Sequence, residues 1–83
     1  MNIKIGSWLL IDNGLGAPTL VYLKSDDSAT LGKGWFSGWF YNSNFGLECA
    51  DWATFNRKDY KDVYILSEFE VNSLPTAFTE AVV

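Results

Sequence analysis

The chain has 83 residues, six basic against ten acidic side chains, a formal net charge of −4, and 17% aromatic residues. That length predicts a single domain over residues 1–83. The acidic balance argues against a general nucleic-acid binder, which needs a basic footprint. With no histidine and one cysteine, Cys49, there is no Cys–His nucleophile, no histidine- or cysteine-based metal site and no internal disulfide.

Asn2 to Asp12 alternates with period two. Ile3, Ile5, Leu9 and Ile11 share one face; Lys4, Gly6, Trp8, Leu10 and Asp12 share the other. This predicts a first strand. Asn13-Gly14 supplies hairpin chemistry, and Gly16 and Pro18 extend the loop. Thr19 to Ser25 predicts a second strand, with Leu20, Tyr22 and Lys24 opposing Val21 and Leu23; Asp26, Asp27 and Ser28 end it as a turn. The opening IKIGSWLLI, hydrophobics around a glycine and then a turn, resembles small Tudor-like or Src-homology-type barrels, which implies a small curled β-domain.

A loop of small residues, Ala29 to Gly34, leads to a third strand, Trp35 to Tyr41. Trp35, Ser37, Trp39 and Tyr41 lie on one face and Phe36, Gly38 and Phe40 on the other. A half-buried strand is expected to be apolar on one face only; this one is aromatic on both. Asn42-Ser43-Asn44 closes it. Leu47 to Lys61 has two readings. Asp51 caps a short helix carrying Trp52 and Phe55, or Cys49 to Phe55 is a strand turning at Asn56 to Asp59; a short helix or irregular turn is favoured. Asp62 to Asn72 reads as a strand with Val63, Ile65, Phe69 and Val71 opposing Tyr64, Leu66, Glu68 and Glu70. Leu74-Pro75 ends it, and the tail Thr76 to Val83 adds a last strand or frays. The expected fold is mainly β, possibly α+β: a small antiparallel sheet of four to five strands, curled or closed as a barrel, with at most one short helix around 50–60.

Catalytic signals are weak. Asp26-Asp27 reads as a solvated turn. Gly32-Lys33-Gly34 lacks the spacing of a phosphate loop. Asp12, Glu48, Asp51, Asp59, Asp62, Glu68 and Glu70 show no spacing that predicts a working carboxylate pair. The expectation is a non-enzyme without metal or cofactor. MNIKIGSWLLID lacks a cleavage pattern, no run reaches membrane-span length, and one cysteine suits a reducing compartment, so a cytoplasmic location is expected.

The aliphatic faces of the first and last strands require core partners, and Phe36 and Phe40 fit. Trp35, Trp39, Tyr41, Trp8, Tyr64, Glu68 and Glu70 then form a second face, aromatic in the middle and acidic at its edge, a composition that interfaces favour. The expected function is a small binding or inhibitor protein that docks this face onto a larger, basic protein and blocks a groove sterically. Toxin-neutralising immunity proteins and phage-encoded inhibitors of bacterial defence systems, the anti-CRISPR proteins among them, are proteins of that type. Neither duplex nucleic acid nor a membrane is expected as partner. The alternatives are a small-ligand or single-strand nucleotide module that stacks bases or cages a cation, and a homo-oligomer subunit. Against all of these stands a plainer possibility: a helix or the C-terminal tail covers the second face, for which Phe45, Trp52 and Phe55 are suited.

Overall fold

The computed structural model describes residues 3–12, 14, 18–42 and 49–82. Five strands form one antiparallel sheet: β1 (Trp8–Asp12), β2 (Thr19–Asp26), β3 (Trp35–Asn42), β4 (Cys49–Asn56) and β5 (Asp62–Ile65). Their order is β4-β3-β2-β1-β5. The first four strands make a meander, and the chain then crosses to lay β5 antiparallel to β1. Short helices α1 (Ser28–Leu31), α2 (Glu68–Asn72) and α3 (Thr76–Val82) and a 3-10 turn at Arg57–Asp59 complete the described elements. β4 and β5 do not pair, so the sheet curls without closing into a barrel.

The register explains why β3 is aromatic on both sides. Leu9 pairs with Val21, Val21 with Phe40 and Phe36 with Phe55, so these residues share one face. Leu9, Ile11, Val21, Leu23 and Phe36 form its fully buried core, with Ile3, Phe40, Phe55, Tyr60 and Val63 packed around them. Trp8 pairs with Tyr22, Tyr22 with Trp39 and Leu10 with Tyr64, which places those residues on the opposite face. There Trp8, Phe78 and Val82 form a second buried cluster, with Tyr22, Trp39, Tyr41, Leu66, Val71 and Leu74 against it. Both faces are therefore core. One is the inside of the curl; the other lies under the C-terminal helices.

Between Leu23 and Ser25 the β2–β3 register slips by one residue. The extra residue is Lys24, and such a bulge sharpens local twist. At Gly38, opposite Leu23, a side chain would run into the β2 backbone.

Several expected elements differ. The first strand begins at Trp8, because Gly6 turns the chain at φ +92° and Ile5 is left exposed. The segment around 50–60 is a strand, β4, and not a helix, and Asp51 lies within it, paired with Phe40 in the sheet. Asn56 is the residue that caps, its side chain accepting from the Lys58 N–H at 3.1 Å. More than one helix is present. The last strand stops at Ile65, and Glu68–Asn72 is helical. The tail is helix α3, neither strand nor fray. Expectations for Asn2, Asn13, Gly16, Ser43, Asn44, Phe45, Leu47, Glu48, Val83 and the Cys49 side chain lie outside the described residues.

Candidate functional site

Trp8, Trp39 and Tyr41 converge as expected, but under cover. The Trp8 and Tyr22 rings lie 4.6 Å apart. Phe78 of α3 meets Trp8 edge-on at 5.5 Å and Tyr41 edge-on at 5.5 Å. Edge contacts of this kind add to area burial. Trp8 retains only 7% exposure and Phe78 none. Trp35 is half-buried on the same side of β3. Most of the aromatic surface expected to meet a partner thus meets the chain's own C-terminus. Along this row Trp52, 5.2 Å from Trp39 and perpendicular to it, is 49% exposed at the open edge.

Tyr64, Glu68 and Glu70 have a different setting. β5 delivers the chain to Ser67, whose hydroxyl accepts from the Glu70 N–H at 3.3 Å, while Glu70 Oε1 accepts from the Ser67 N–H at 3.0 Å. This capping box satisfies two orphan donors and starts α2. The Tyr64 hydroxyl also donates to Glu70 Oε1 at 2.8 Å. The Ser67 N–H and the Tyr64 hydroxyl hold the Glu70 carboxyl below the usual range, and that carboxylate in turn raises the Tyr64 phenol. The strand end and the helix start are pinned to one another. Val71 faces the core; Phe69, two residues earlier on the helix, points away and is 80% exposed. Tyr64 of β5 is 52% exposed, and Glu68 is exposed too.

Charge is segregated to the same region. Residues 1–61 hold all six cations and six of the ten carboxylates, so that part is formally neutral. The remaining four, Asp62, Glu68, Glu70 and Glu80, carry the whole net charge of −4, and no cation lies between 62 and 83. Two exposed aromatics, Phe69 and Tyr64, thus lie on a uniformly acidic segment.

A polar cluster bridges the opposite end of the sheet. Asp27 accepts from Ser25 Oγ at 2.6 Å and from Ser37 Oγ, and Ser37 Oγ lies 2.9 Å from Thr54 Oγ1. The hydroxyls of Ser25 and then Ser37 hold Asp27 below the usual carboxylate range. Ser37 is buried at 4% exposure, so its hydroxyl ties β2, β3 and β4 together and is closed to a substrate. Among the described residues no three histidine, cysteine or acidic side chains gather to hold a metal ion. No described helix is long and apolar enough to cross a membrane.

Sequence reasoning missed Phe69 as an exposed residue by assigning it to the apolar face of a strand. The signal was present: Ser67-x-x-Glu70 is the capping-box pattern, and it starts a helix where a strand was extended. The charge step after Lys61 was also readable. Compared with protein-family models, with curated proteins and with solved structures, the chain matches none.

Proposed function

We propose that the chain is a non-enzymatic binding protein that docks Phe69 and Tyr64, on their acidic segment, onto a basic surface of a larger protein. The observation that carries this reading is Phe69: a phenylalanine 80% in solvent on a helix whose cap and strand contact hold it in place. Large aromatics that project from pre-ordered elements make anchors at little entropic cost. Glu68 and Glu70 flank it in sequence with no cation between residues 62 and 83, so a basic partner complements them and accelerates encounter. Steric blocking by such a surface is the mode of small proteinaceous inhibitors, of the immunity or anti-CRISPR type.

The test is affinity capture with the tagged chain beside a Phe69→Ser, Glu68→Lys double variant. The expected result is a basic protein retained by the natural sequence and lost by the variant, at equal melting temperatures. Its capture should weaken as ionic strength rises through the physiological range, where the screening length is about 8 Å. Equal retention by both chains overturns the reading.

A further inference from the structure

The two edges of the open sheet are unequal. β5 is four residues long, starts at the charged pair Lys61-Asp62, and runs directly into the capped turn of α2. β4 is eight residues long and pairs with β3 without interruption from Asn56 opposite Trp35 to Cys49 opposite Asn42. Its sequence, CADWATFN, contains no proline, no lysine and no arginine, and its pairing has no bulge. Proline, lysine and a bulge are devices that keep an edge from pairing with another chain, and β4 has none of them; α3 packs on it from the face that Ala50 shares with Phe78 and Val82. Asp51 is its only charge.

The direction of its free backbone groups follows from one hydrogen bond. The Arg57 N–H donates to the Gly34 carbonyl at 2.8 Å, one step beyond the Trp35–Asn56 pair. Antiparallel partners alternate between bonded and non-bonded pairs. Asp51, Ala53 and Phe55 therefore exchange bonds with β3, and the N–H and C=O groups of Ala50, Trp52 and Thr54 point out of the sheet. Among the described residues no strand meets them. At their centre is Trp52, half-exposed, its indole continuing the aromatic row from Trp39.

We propose that β4 pairs with β4 of a second copy, antiparallel about a two-fold axis at Trp52, so that one sheet runs through both molecules. A two-fold interface must be self-complementary, and this edge is. With Trp52 opposite Trp52, Ala50 lies opposite Thr54 and Asp51 opposite Ala53. No like charges meet, and two indoles lie side by side on one face. The carboxylates that give each copy its charge of −4 are in residues 62–83, and the two docking patches at β5 and α2 stay free.

Sedimentation equilibrium across roughly 1 μM to 1 mM, the range where a modest interface dissociates, reads the association. The expected mass rises from 9.3 kDa to twice that value. Added salt strengthens it, because both copies are acidic; this is opposite in sign to the salt effect on docking a basic partner, so the two ideas fail separately. Amide hydrogen exchange at Ala50, Trp52 and Thr54 slows as concentration rises. Trp52→Lys puts two ammonium groups face to face and weakens association at least tenfold. Trp52→Pro removes an outward N–H, a position where an edge accepts proline, and does the same. Circular dichroism checks the fold of each. A natural chain that stays at 9.3 kDa throughout overturns the proposal. So does a dimer that survives both substitutions, or exchange at those three amides that ignores concentration.

Discussion

Gly38 sits against the backbone of Tyr22 with no room for a side chain. A β-carbon at Gly38 would overlap the Tyr22 carbonyl oxygen and stand 3.0 Å from its carbonyl carbon and 3.2 Å from the Leu23 Cα. The crowding atoms are main chain, in the strand pair next to the bulge, so no rotamer relieves them. Gly38→Ala is expected to cost at least about 2–3 kcal/mol, in the range of overpacked cores. Urea denaturation followed by tryptophan fluorescence would measure it. A change under about 0.5 kcal/mol, typical of an innocuous surface substitution, would show that β2 and β3 separate easily there.

Phe78 and Phe69, nine positions apart, are expected to respond in opposite ways. Phe78 is fully buried between Trp8 and Tyr41, so Phe78→Ala should cost about 3–5 kcal/mol. That is a large share of the roughly 4–12 kcal/mol available to a chain of this size. Phe69→Ala should leave stability within about 0.5 kcal/mol and show its effect in partner binding alone. Thermal melts of the two variants distinguish them. For the same reason, Trp39→Ala and Tyr41→Ala would report on core packing before they reported on any partner.

Stability is expected to fall at both ends of the pH scale. The Ser28 N–H holds the Asp26 carboxyl low, the Ser25 and Ser37 hydroxyls hold Asp27 low, and the Ser67 N–H and Tyr64 hydroxyl hold Glu70 low. A depressed carboxyl stabilises the fold fully above its unfolded value, about 4, and that contribution is lost as pH falls through the lower folded value. The tyrosines run the other way. Glu70 raises the Tyr64 phenol and burial raises that of Tyr60, so their contribution is present below about 10 and is lost as pH rises through the folded values. Melting temperature against pH should show a plateau between roughly 5 and 9. Asp27→Asn should flatten part of the acid limb and Tyr64→Phe part of the alkaline one. Unchanged slopes in either variant would remove that group from the account.

The α2 cap is expected to matter more than its exposure suggests. Ser67→Ala removes the hydroxyl that accepts from Glu70 N–H and should cost about 1 kcal/mol. Because Glu70 also holds Tyr64, amide exchange should quicken at the end of β5 as well as in α2. Exchange confined to α2 would mean that strand and helix are not coupled.

The central strands were legible because they repeat with period two over enough residues. Thr19 to Ser25 and Trp35 to Tyr41 match β2 and β3 to within a residue. The errors have local causes. At the N-terminus, Ile3 and Ile5 keep the alternation going, but Gly6 takes a positive φ that ends it. In β4, the row Ala50, Trp52, Thr54 is sheltered at one end and open at the other, and the row Asp51, Ala53, Phe55 mixes a charge with a core ring. Neither face has a uniform pattern. After Leu66, strand periodicity was extended through a capping box. In the tail, Phe78 and Val82 lie four residues apart behind Pro75, a helical spacing that also explains how α3 covers Trp8. Of the candidate site, Tyr64, Glu68 and Glu70 were grouped as one strand face, whereas Glu68 and Glu70 are helical and Tyr64 meets Glu70 through a hydrogen bond across the strand–helix turn; Trp8, Trp39 and Tyr41 belong to the core because the tail folds back over them.

The pairing of β5 with β1 has a consequence for synthesis. During synthesis β1 finds one neighbour, β2, almost at once, but its other neighbour is made only after residue 61. The helices that cover Trp8, Tyr22 and Trp39 come later still. At about 5–20 residues per second, the nascent chain spends seconds as a partial meander with one aromatic face uncovered. The face closes only once Phe78 has been made, and a chain cut short before it would keep that face bare and be prone to aggregate.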